Sequence, residues 1–256
     1  MGPVLELKNI GMNFHDTIGE TIAIDDVSFG VSEGEFVSIV GPSGCGKSTL
    51  LSIISGLLPP SRGDCLIGGK PVSGGEKRRR TVGYMLQSDH LFEWRTILGN
   101  VMLGLEVRGE LNTENRASCE KLLARYGLDE FKNHRPSQLS GGMRQRAALI
   151  RTLAVDPSIL LLDEPFSALD FQTRLRVTDD IATIIRQEGR TAVLVTHDIS
   201  EAVSVSDRVI VLSKRPSQII NIHRVGLSDA ETPPIKAREH PDFRHHFNMI
   251  WKELEG

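Results

Sequence analysis

Apolar positions change period along this chain, and the change separates candidate strands from candidate helices. Short β-like runs come first, at Val4–Ile10, Thr21–Ile24 and Val27–Val31, the last with the alternation of a strand that buries one face. Phe36–Val40 is a compact apolar run leading straight into a glycine-rich turn. Beyond that turn, Leu50, Leu51, Ile53, Ile54 and Leu57 fall at helical spacing within Lys47–Leu57, and Pro59-Pro60 closes the segment. The stretch from Ser88 to Ala154 reads mostly helical and is set off as an inserted lobe. Strand and helix then alternate: Ile159–Leu162, an amphipathic helix Gln172–Gln187 closed by Gly189, Thr191–Val195, and Arg208–Leu212. Apolar strands alternating with helices predict a mostly parallel sheet covered on both faces. From Ser213 on, the strand pattern is expected to fade; Thr232-Pro233-Pro234 reads as a linker and Phe243–Leu254 as a short terminal helix.

Composition narrows the class without naming a chemistry. The 256 residues are 39% hydrophobic and 25% charged, with a formal net charge of −3. That balance argues against nucleic-acid binding through bulk charge. No apolar run reaches the roughly 18–20 residues that a membrane-spanning helix needs. The opening Met-Gly-Pro-Val-Leu-Glu-Leu-Lys lacks the layout of a secretory leader. Three scattered cysteines, Cys45, Cys65 and Cys119, suit a reducing compartment better than a disulfide framework. A soluble, cytoplasmic chain is the expectation.

Chemistry enters at the glycine-rich turn. Gly41-Pro42-Ser43-Gly44-Cys45-Gly46-Lys47-Ser48, with Thr49 following, matches the phosphate-binding P-loop pattern between a strand and a helix. Its glycines let backbone N–H groups turn inward around phosphate oxygens, and the helix presents its positive end to them. Lys47 is suited to the outer phosphates and the Ser48 hydroxyl to Mg²⁺; Cys45 contributes backbone and needs no thiol chemistry. At Asp163 and Glu164 two carboxylates stand where the apolar run Ile159–Leu162 stops, and in parallel sheets strand C-termini line the ligand crevice. Asp163 is suited to hold Mg²⁺. Glu164, on the other side of the strand axis, is suited to act on the attacking water as general base. Together these segments predict a nucleoside-triphosphate hydrolase.

Leu139-Ser140-Gly141-Gly142-Met143-Arg144-Gln145-Arg146 opens a helix shortly before the acidic strand end. Here the chain resembles the ABC ATPases, whose hallmark is Leu-Ser-Gly-Gly at a helix start. Met143 stands where that hallmark often has glutamine, which leaves the anion-binding groups Ser140, Gly141 and Gly142 unaltered. The resemblance implies a P-loop NTPase of the ABC ATPase fold: a RecA-like, mostly parallel α/β core, an antiparallel β subdomain and an inserted helical subdomain. It implies an ATPase domain over residues 1–215, with the helical subdomain at about 88–154, and a short extension over 216–256. Ser140, Gly141 and Gly142 would grip the γ-phosphate of ATP held on a second copy, so that two chains sandwich two ATP molecules. Other residues fall in the family's order. Gln87 matches the glutamine that meets Mg²⁺ and the attacking water. Asp170, within Ser167-Ala168-Leu169-Asp170, matches the loop that communicates across the dimer. His197 matches the histidine on the γ-phosphate, and Phe14 stands where an aromatic meets adenine, with Phe29 read as core. Ser73-Gly74-Gly75 repeats part of the hallmark but has no apolar helix behind it and reads as a surface turn. The basic run Lys77–Arg80 reads as a solvated loop rather than a nucleic-acid patch.

Leu91-Phe92-Glu93-Trp94 with Asn100-Val101 is similar to the stretch that, in importer ATPases, receives a helix of the membrane subunit. Packing inside the lobe is the other reading for Leu91, Phe92 and Trp94. The segment Leu212–Ile219 and the terminal Pro241–Trp251 resemble the nitrate, sulfonate, taurine and bicarbonate importer branch. The resemblance implies a motor on the inner face of the cell membrane, partnered by transmembrane permease subunits and, indirectly, by an extracytoplasmic solute-binding protein. A lipid-transport or export motor, or a soluble ABC ATPase of nucleic-acid metabolism, is the alternative. His240, His245 and His246 read as a solvated helix face rather than a metal site.

Overall fold

A computed structural model describes residues 2–15, 19–72, 81–229 and 232–255. The Ser73-Gly74-Gly75 turn and the Lys77–Arg80 run lie outside the described residues. Two sheets carry the fold. The smaller is antiparallel, ordered β2-β1-β4-β5 from Leu5–His15 (β1), Glu20–Val31 (β2), Arg62–Ile67 (β4) and Lys70–Pro71 (β5). The larger is ordered β10-β9-β3-β8-β7-β6, from Phe36–Val40 (β3), Val82–Met85 (β6), Ile159–Asp163 (β7), Thr191–Thr196 (β8), Arg208–Leu212 (β9) and Ile219–Arg224 (β10). Its pairings are parallel except that β10 runs antiparallel to β9.

Strand parity decides what each face meets, because successive side chains point to opposite faces. All five residues of β7 are buried. Ile159 and Leu161 pack with Leu50, Leu51, Ile53 and Ile54 of the helix Lys47–Ile54 (α1) and with the small sheet. Leu160 and Leu162 face the opposite cluster, with Ala147, Ala148 and Ile150 of the helix Gly141–Leu153 (α5) and Ile181 and Ile185 of the helix Phe171–Gln187 (α6). The inserted lobe consists of Ile97–Val101 (α2), Leu103–Arg108 (α3), Thr113–Arg125 (α4) and α5. Asn100, fully buried, ties its entry by donating to the Phe92 carbonyl at 3.1 Å and accepting the Phe92 N–H at 2.7 Å.

Three local expectations are corrected. Thr21–Ile24 and Val27–Val31 are one strand, β2, carried through the gap by Asp26 at φ 60°; the polar Asp25-Asp26 pair is an irregularity in a continuous ladder, not its end. The first helix stops at Ile54, three residues early, since Gly56 adopts φ 74° and leaves Leu57 70% exposed. Nor does the strand pattern end at Ser213. Ile219–Arg224 adds β10 to the main sheet, and as an edge strand it leaves Ile220 and Ile222 exposed, which erased the alternation. After β10 come Pro234–Ala237 (α8) and Phe243–Glu255 (α9). Ile250 of α9 packs with Val209 and Val211 of β9 and with Ala202 and Val203 of the helix Ile199–Val205 (α7).

The junction between β6 and α5 allows no side chain at Gly83. A Cβ there would stand 2.6 Å from Thr152 Cγ2 and 2.9 Å from Pro157 Cγ. Gly83→Ala should cost roughly 1–3 kcal/mol by overpacking, read as a lower urea midpoint; an unchanged midpoint would mean that β6 and α5 separate freely.

Candidate nucleotide and hydrolysis site

The phosphate loop leaves β3 and bends through two left-handed glycines, Gly44 at φ 75° and Gly46 at φ 107°, before α1 begins at Lys47. These conformations favour glycine. Gly41 is a glycine for a different reason: a Cβ would lie 2.9 Å from Cys45 Sγ and 3.2 Å from the Leu212 backbone. Lys47 is buried, and its Nζ donates to the carbonyls of Gly41 at 2.9 Å and Pro42 at 3.1 Å. Cys45 is also buried, and burial raises its thiol above the ordinary range against the opposing charge of Lys47. That fits a backbone role at this position.

The loop and the acidic strand end meet directly. Ser48 Oγ donates to Asp163 Oδ1 at 3.0 Å, and the Tyr84 hydroxyl donates to Asp163 Oδ2 at 3.2 Å. Parity explains the first contact: Asp163 continues the face of Ile159 and Leu161, which is the α1 side. Burial pushes the Asp163 carboxyl up, while the Ser48 and Tyr84 hydroxyls hold it back. Glu164 leaves the strand at φ 43°, an uncommon conformation for a residue with a side chain. Its N–H donates to the Val195 carbonyl at 2.9 Å, and its Oε2 lies 2.9 Å from His197 Nδ1. Gln87, just beyond β6, donates from Nε2 to Ser167 Oγ at 3.2 Å.

Ser140 caps α5, accepting the Met143 N–H at 3.4 Å. Gly141 and Gly142 sit tightly on the following segment: a Cβ would meet Leu169 Cδ2 at 3.1 Å and Val177 Cγ2 at 2.8 Å respectively. Asp170 caps α6 by accepting the Thr173 N–H at 3.1 Å. The structure thus brings Gly41–Ser48, Asp163, Glu164, His197 and Gln87 to one end of the main sheet. Among the described residues, no hydrogen bond or ion pair joins Ser140–Gly142 to the phosphate loop. Phe14 stands at the end of β1, 43% exposed and paired across the ladder with Thr21. Phe29 is buried.

Sequence reasoning missed Tyr84 and the ties behind the hallmark helix. Arg144 donates from Nε to Asp89 Oδ2 at 2.8 Å, and Arg151 donates to the carbonyls of Asp89 and His90, each at 2.7 Å. These bonds lash α5 to the segment just after Gln87. A tyrosine in a short strand and arginines on a polar helix face carry no signal of their own.

A phosphate loop joined to an acidic strand end on a parallel sheet defines a P-loop nucleoside triphosphatase. The comparisons with known proteins narrow the class. The ABC transporter family model matches residues 24–167. An uncharacterized ABC transporter ATP-binding protein of Bacillus subtilis, YtlC, is 48% identical over 252 residues, covering 98% of this chain and 96% of that one. Taurine import ATP-binding protein TauB of Roseobacter denitrificans is 36% identical, covering 96% of this chain and 94% of its own length. Among solved structures, the dimeric bacterial ABC transporter cassette MJ0796 superposes with a TM-score of 0.74 at 35% identity, over 86% of this chain and 98% of that one. A post-hydrolysis dimer of the same cassette, bound to ADP and Pi, superposes at 0.72. The chain belongs to the ABC transporter family and is an ATP-binding, ATP-hydrolysing subunit of that class.

Behind His197 lies a buried carboxyl that the motifs do not include. Glu201, on α7, accepts from the Thr178 hydroxyl at 3.2 Å. Burial first, and then the nearby Asp198 charge, raise it from 4.5 to about 7, with the Thr196 and Thr178 hydroxyls and Arg174 opposing. A carboxyl whose folded pKa is raised holds more protons in the folded state, so its contribution to stability falls as pH rises from about 4.5 through about 7. Glu201→Gln should remove that slope. Relative to wild type, the variant should gain on the order of 1–3 kcal/mol between pH 5 and pH 8 in urea unfolding; parallel pH profiles for the two proteins would rule this out.

Proposed function

We propose that two copies of this chain, closing around ATP, drive import of a small solute through separate permease subunits on the inner face of the cell membrane. The observation that carries the chemical part is the Ser48–Asp163 contact at 3.0 Å, which fixes the phosphate loop to the acidic strand end. A hydroxyl and a carboxylate side by side are the hard oxygen donors that Mg²⁺ takes. In this reading Ser48 and Asp163, with Gln87, hold the ion. Bound there, Mg²⁺ supplies charge neutralisation at the outer phosphate oxygens. Backbone N–H groups of Gly41–Thr49 and the Lys47 ammonium bind and orient the triphosphate at the start of α1. Glu164 takes the proton from the attacking water, and His197, paired to it through Nδ1, keeps that carboxylate at the strand end and contacts the γ-phosphate. Phe14 faces the adenine.

The second copy enters through Ser140, Gly141 and Gly142. Ser140 caps, and Gly141 and Gly142 open, a helix N-terminus that among the described residues no hydrogen bond or ion pair ties to the chain's own phosphate loop, and Asp170 at the start of α6 belongs to the same shared surface. The likeness to cassettes solved as dimers supports this pairing. For the permease, support comes from Trp94, 71% exposed and stacked on Phe92 at 4.7 Å between ring centroids. Leu91 is buried in the lobe, so it serves packing instead. The taurine importers among the relatives favour a small sulfonate-like, nitrate-like or other organic solute, delivered by an extracytoplasmic binding protein. Division of the chain follows the same reading: a cassette over 1–215, its helical subdomain at about 88–154, and a 216–256 extension whose first strand completes the cassette's sheet.

Glu164→Gln tests the chemistry. It should keep ATP binding and cut turnover at least ~100-fold, the scale of a lost general base, whereas Lys47→Ala should lose nucleotide binding itself. Near-normal hydrolysis by Glu164→Gln would remove Glu164 from the role. Pairing has its own test, in a mixture of Lys47→Ala and Ser140→Arg chains. Each variant alone carries two damaged sites, but a mixed pair holds one site with both lesions and one intact. That site should allow nucleotide-dependent crosslinking between chains. If wild type crosslinks with nucleotide and the mixture never does, each chain builds its site alone.

A further inference from the structure

The turn between β9 and β10, residues 213–218, belongs to no nucleotide motif and lies beyond the stretch that the family model matches. It is nevertheless built as a fixed arm. Ser213 N–H donates to the Gln218 carbonyl at 2.9 Å, and Gln218 N–H donates to Ser213 Oγ at 2.9 Å, closing its base. Ser217 is fully buried. Its N–H and hydroxyl both donate to the Ala23 carbonyl, at 3.1 and 3.2 Å, and its own carbonyl accepts the Asp25 N–H at 2.9 Å. Gln218 Nε2 adds a bond to Asp25 Oδ2 at 3.0 Å. The arm is therefore pinned to β2 in the small sheet.

From this base Arg215 reaches back to the phosphate loop, where its Nη2 donates to the Gly44 carbonyl at 2.9 Å. We propose that Arg215 is a positioning residue of the nucleotide site, fixing the Gly44–Cys45 peptide so that the loop is set before the triphosphate arrives. Gly44, in a left-handed conformation, has no atom within 4 Å of where a Cβ would be, so no side-chain packing holds it. Its peptide is held at both ends: the carbonyl by Arg215, and the Cys45 N–H by the Pro42 carbonyl at 3.3 Å. With the carbonyl turned toward the guanidinium, it stays out of the cradle into which the loop's N–H groups must point. A permanent cation is also kept beside a loop that receives an anion, within the reach of unscreened attraction. Binding to a preset loop carries less ordering cost, so the effect falls on affinity rather than on the chemical step.

The inference rests on the reading of Gly41–Thr49 as the triphosphate cradle, so Lys47→Ala is run beside it. In the nucleotide-free full-length chain, Arg215→Ala should speed amide hydrogen exchange at Cys45 and Gly46. It should raise KM for Mg-ATP by roughly three- to tenfold and change kcat by less than about twofold. Arg215→Lys, keeping the charge without the planar fork, should fall between Arg215→Ala and wild type. If Lys47→Ala still binds Mg-ATP by calorimetry, the cradle reading itself fails. If Lys47→Ala loses binding while Arg215→Ala matches wild type in exchange and KM, Arg215 alone is overturned. A drop in kcat at constant KM would likewise overturn it, since that would place Arg215 in the chemistry.

Discussion

The Asp163 carboxylate is the point on which the site depends. It is buried at the end of a strand whose every residue is buried, and a carboxylate out of water must be met by donors or it takes up a proton. Ser48 and Tyr84 are those donors, each to a different carboxylate oxygen and from a different element. Ser48 rides on α1, and Tyr84 on β6, whose parallel register sets Tyr84 beside Leu161 of β7. The parallel order β8-β7-β6 is therefore more than scaffolding. It aligns strand ends so that a hydroxyl from the neighbouring strand and one from the loop's helix converge on the same carboxylate.

That dependence explains what could be read in advance. β3, β7, β8 and β9 were legible because they are buried on both faces and so carry near-continuous apolar runs, whereas β4, which opens on the exposed Arg62-Gly63-Asp64, was not. Gly41–Ser48, Asp163-Glu164 and Leu139–Gly142 were legible as patterns for a related reason: backbone cradles and strand-end carboxylates require fixed residue types at fixed spacing. β10 was not, since an edge strand with exposed Ile220 and Ile222 and a buried His223 has no alternation to find. Tyr84 was hidden too. Its function depends on which strand lies beside β7, and strand order is a property of the fold rather than of the local sequence. Asp25-Asp26 misled for the opposite reason, as a polar pair that reads as a turn but sits in a continuous strand.

The hallmark glycines illustrate how one residue type answers two demands. Gly141 and Gly142 form the first turn of α5, where a helix terminus leaves N–H groups without partners in the helix. They are also the residues on which Leu169 and Val177 press, at distances that leave no room for a methyl group at Gly142. The hallmark and the Ser167–Asp170 turn are consequently one packed unit. Gln87 bonds to Ser167, and Arg144 binds Asp89 two residues beyond Gln87. Two short chains of contacts thus join the helical lobe to the turn beside Glu164. One runs through the side chain of Gln87 and the other through the helix that the hallmark opens.

Glu164 then shows where the fold departs from local preference. A β-strand residue normally has φ well below zero, yet Glu164 stands at φ 43° one position beyond β7. Such a conformation costs on the order of 1 kcal/mol for a residue with a Cβ, and the surroundings must hold it. They do so with two bonds: the backbone N–H to Val195 in β8, and the carboxylate to His197 two residues further along. Both anchors come from the same neighbouring strand and its exit, so the glutamate is aimed by β8 while Asp163 is aimed by α1 and β6. Had the chain continued straight, parity would have carried Glu164 onto the face of Leu160 and Leu162, into the apolar cluster around α5 and α6. The reversal of φ instead turns the carboxylate back to the open end of the sheet, beside the histidine. Two adjacent carboxylates are thereby held by separate elements, one enclosed by hydroxyls and suited to a metal ion, the other paired with a histidine and open to water. In the proposed hydrolysis, that separation would let neighbouring acidic residues take different parts.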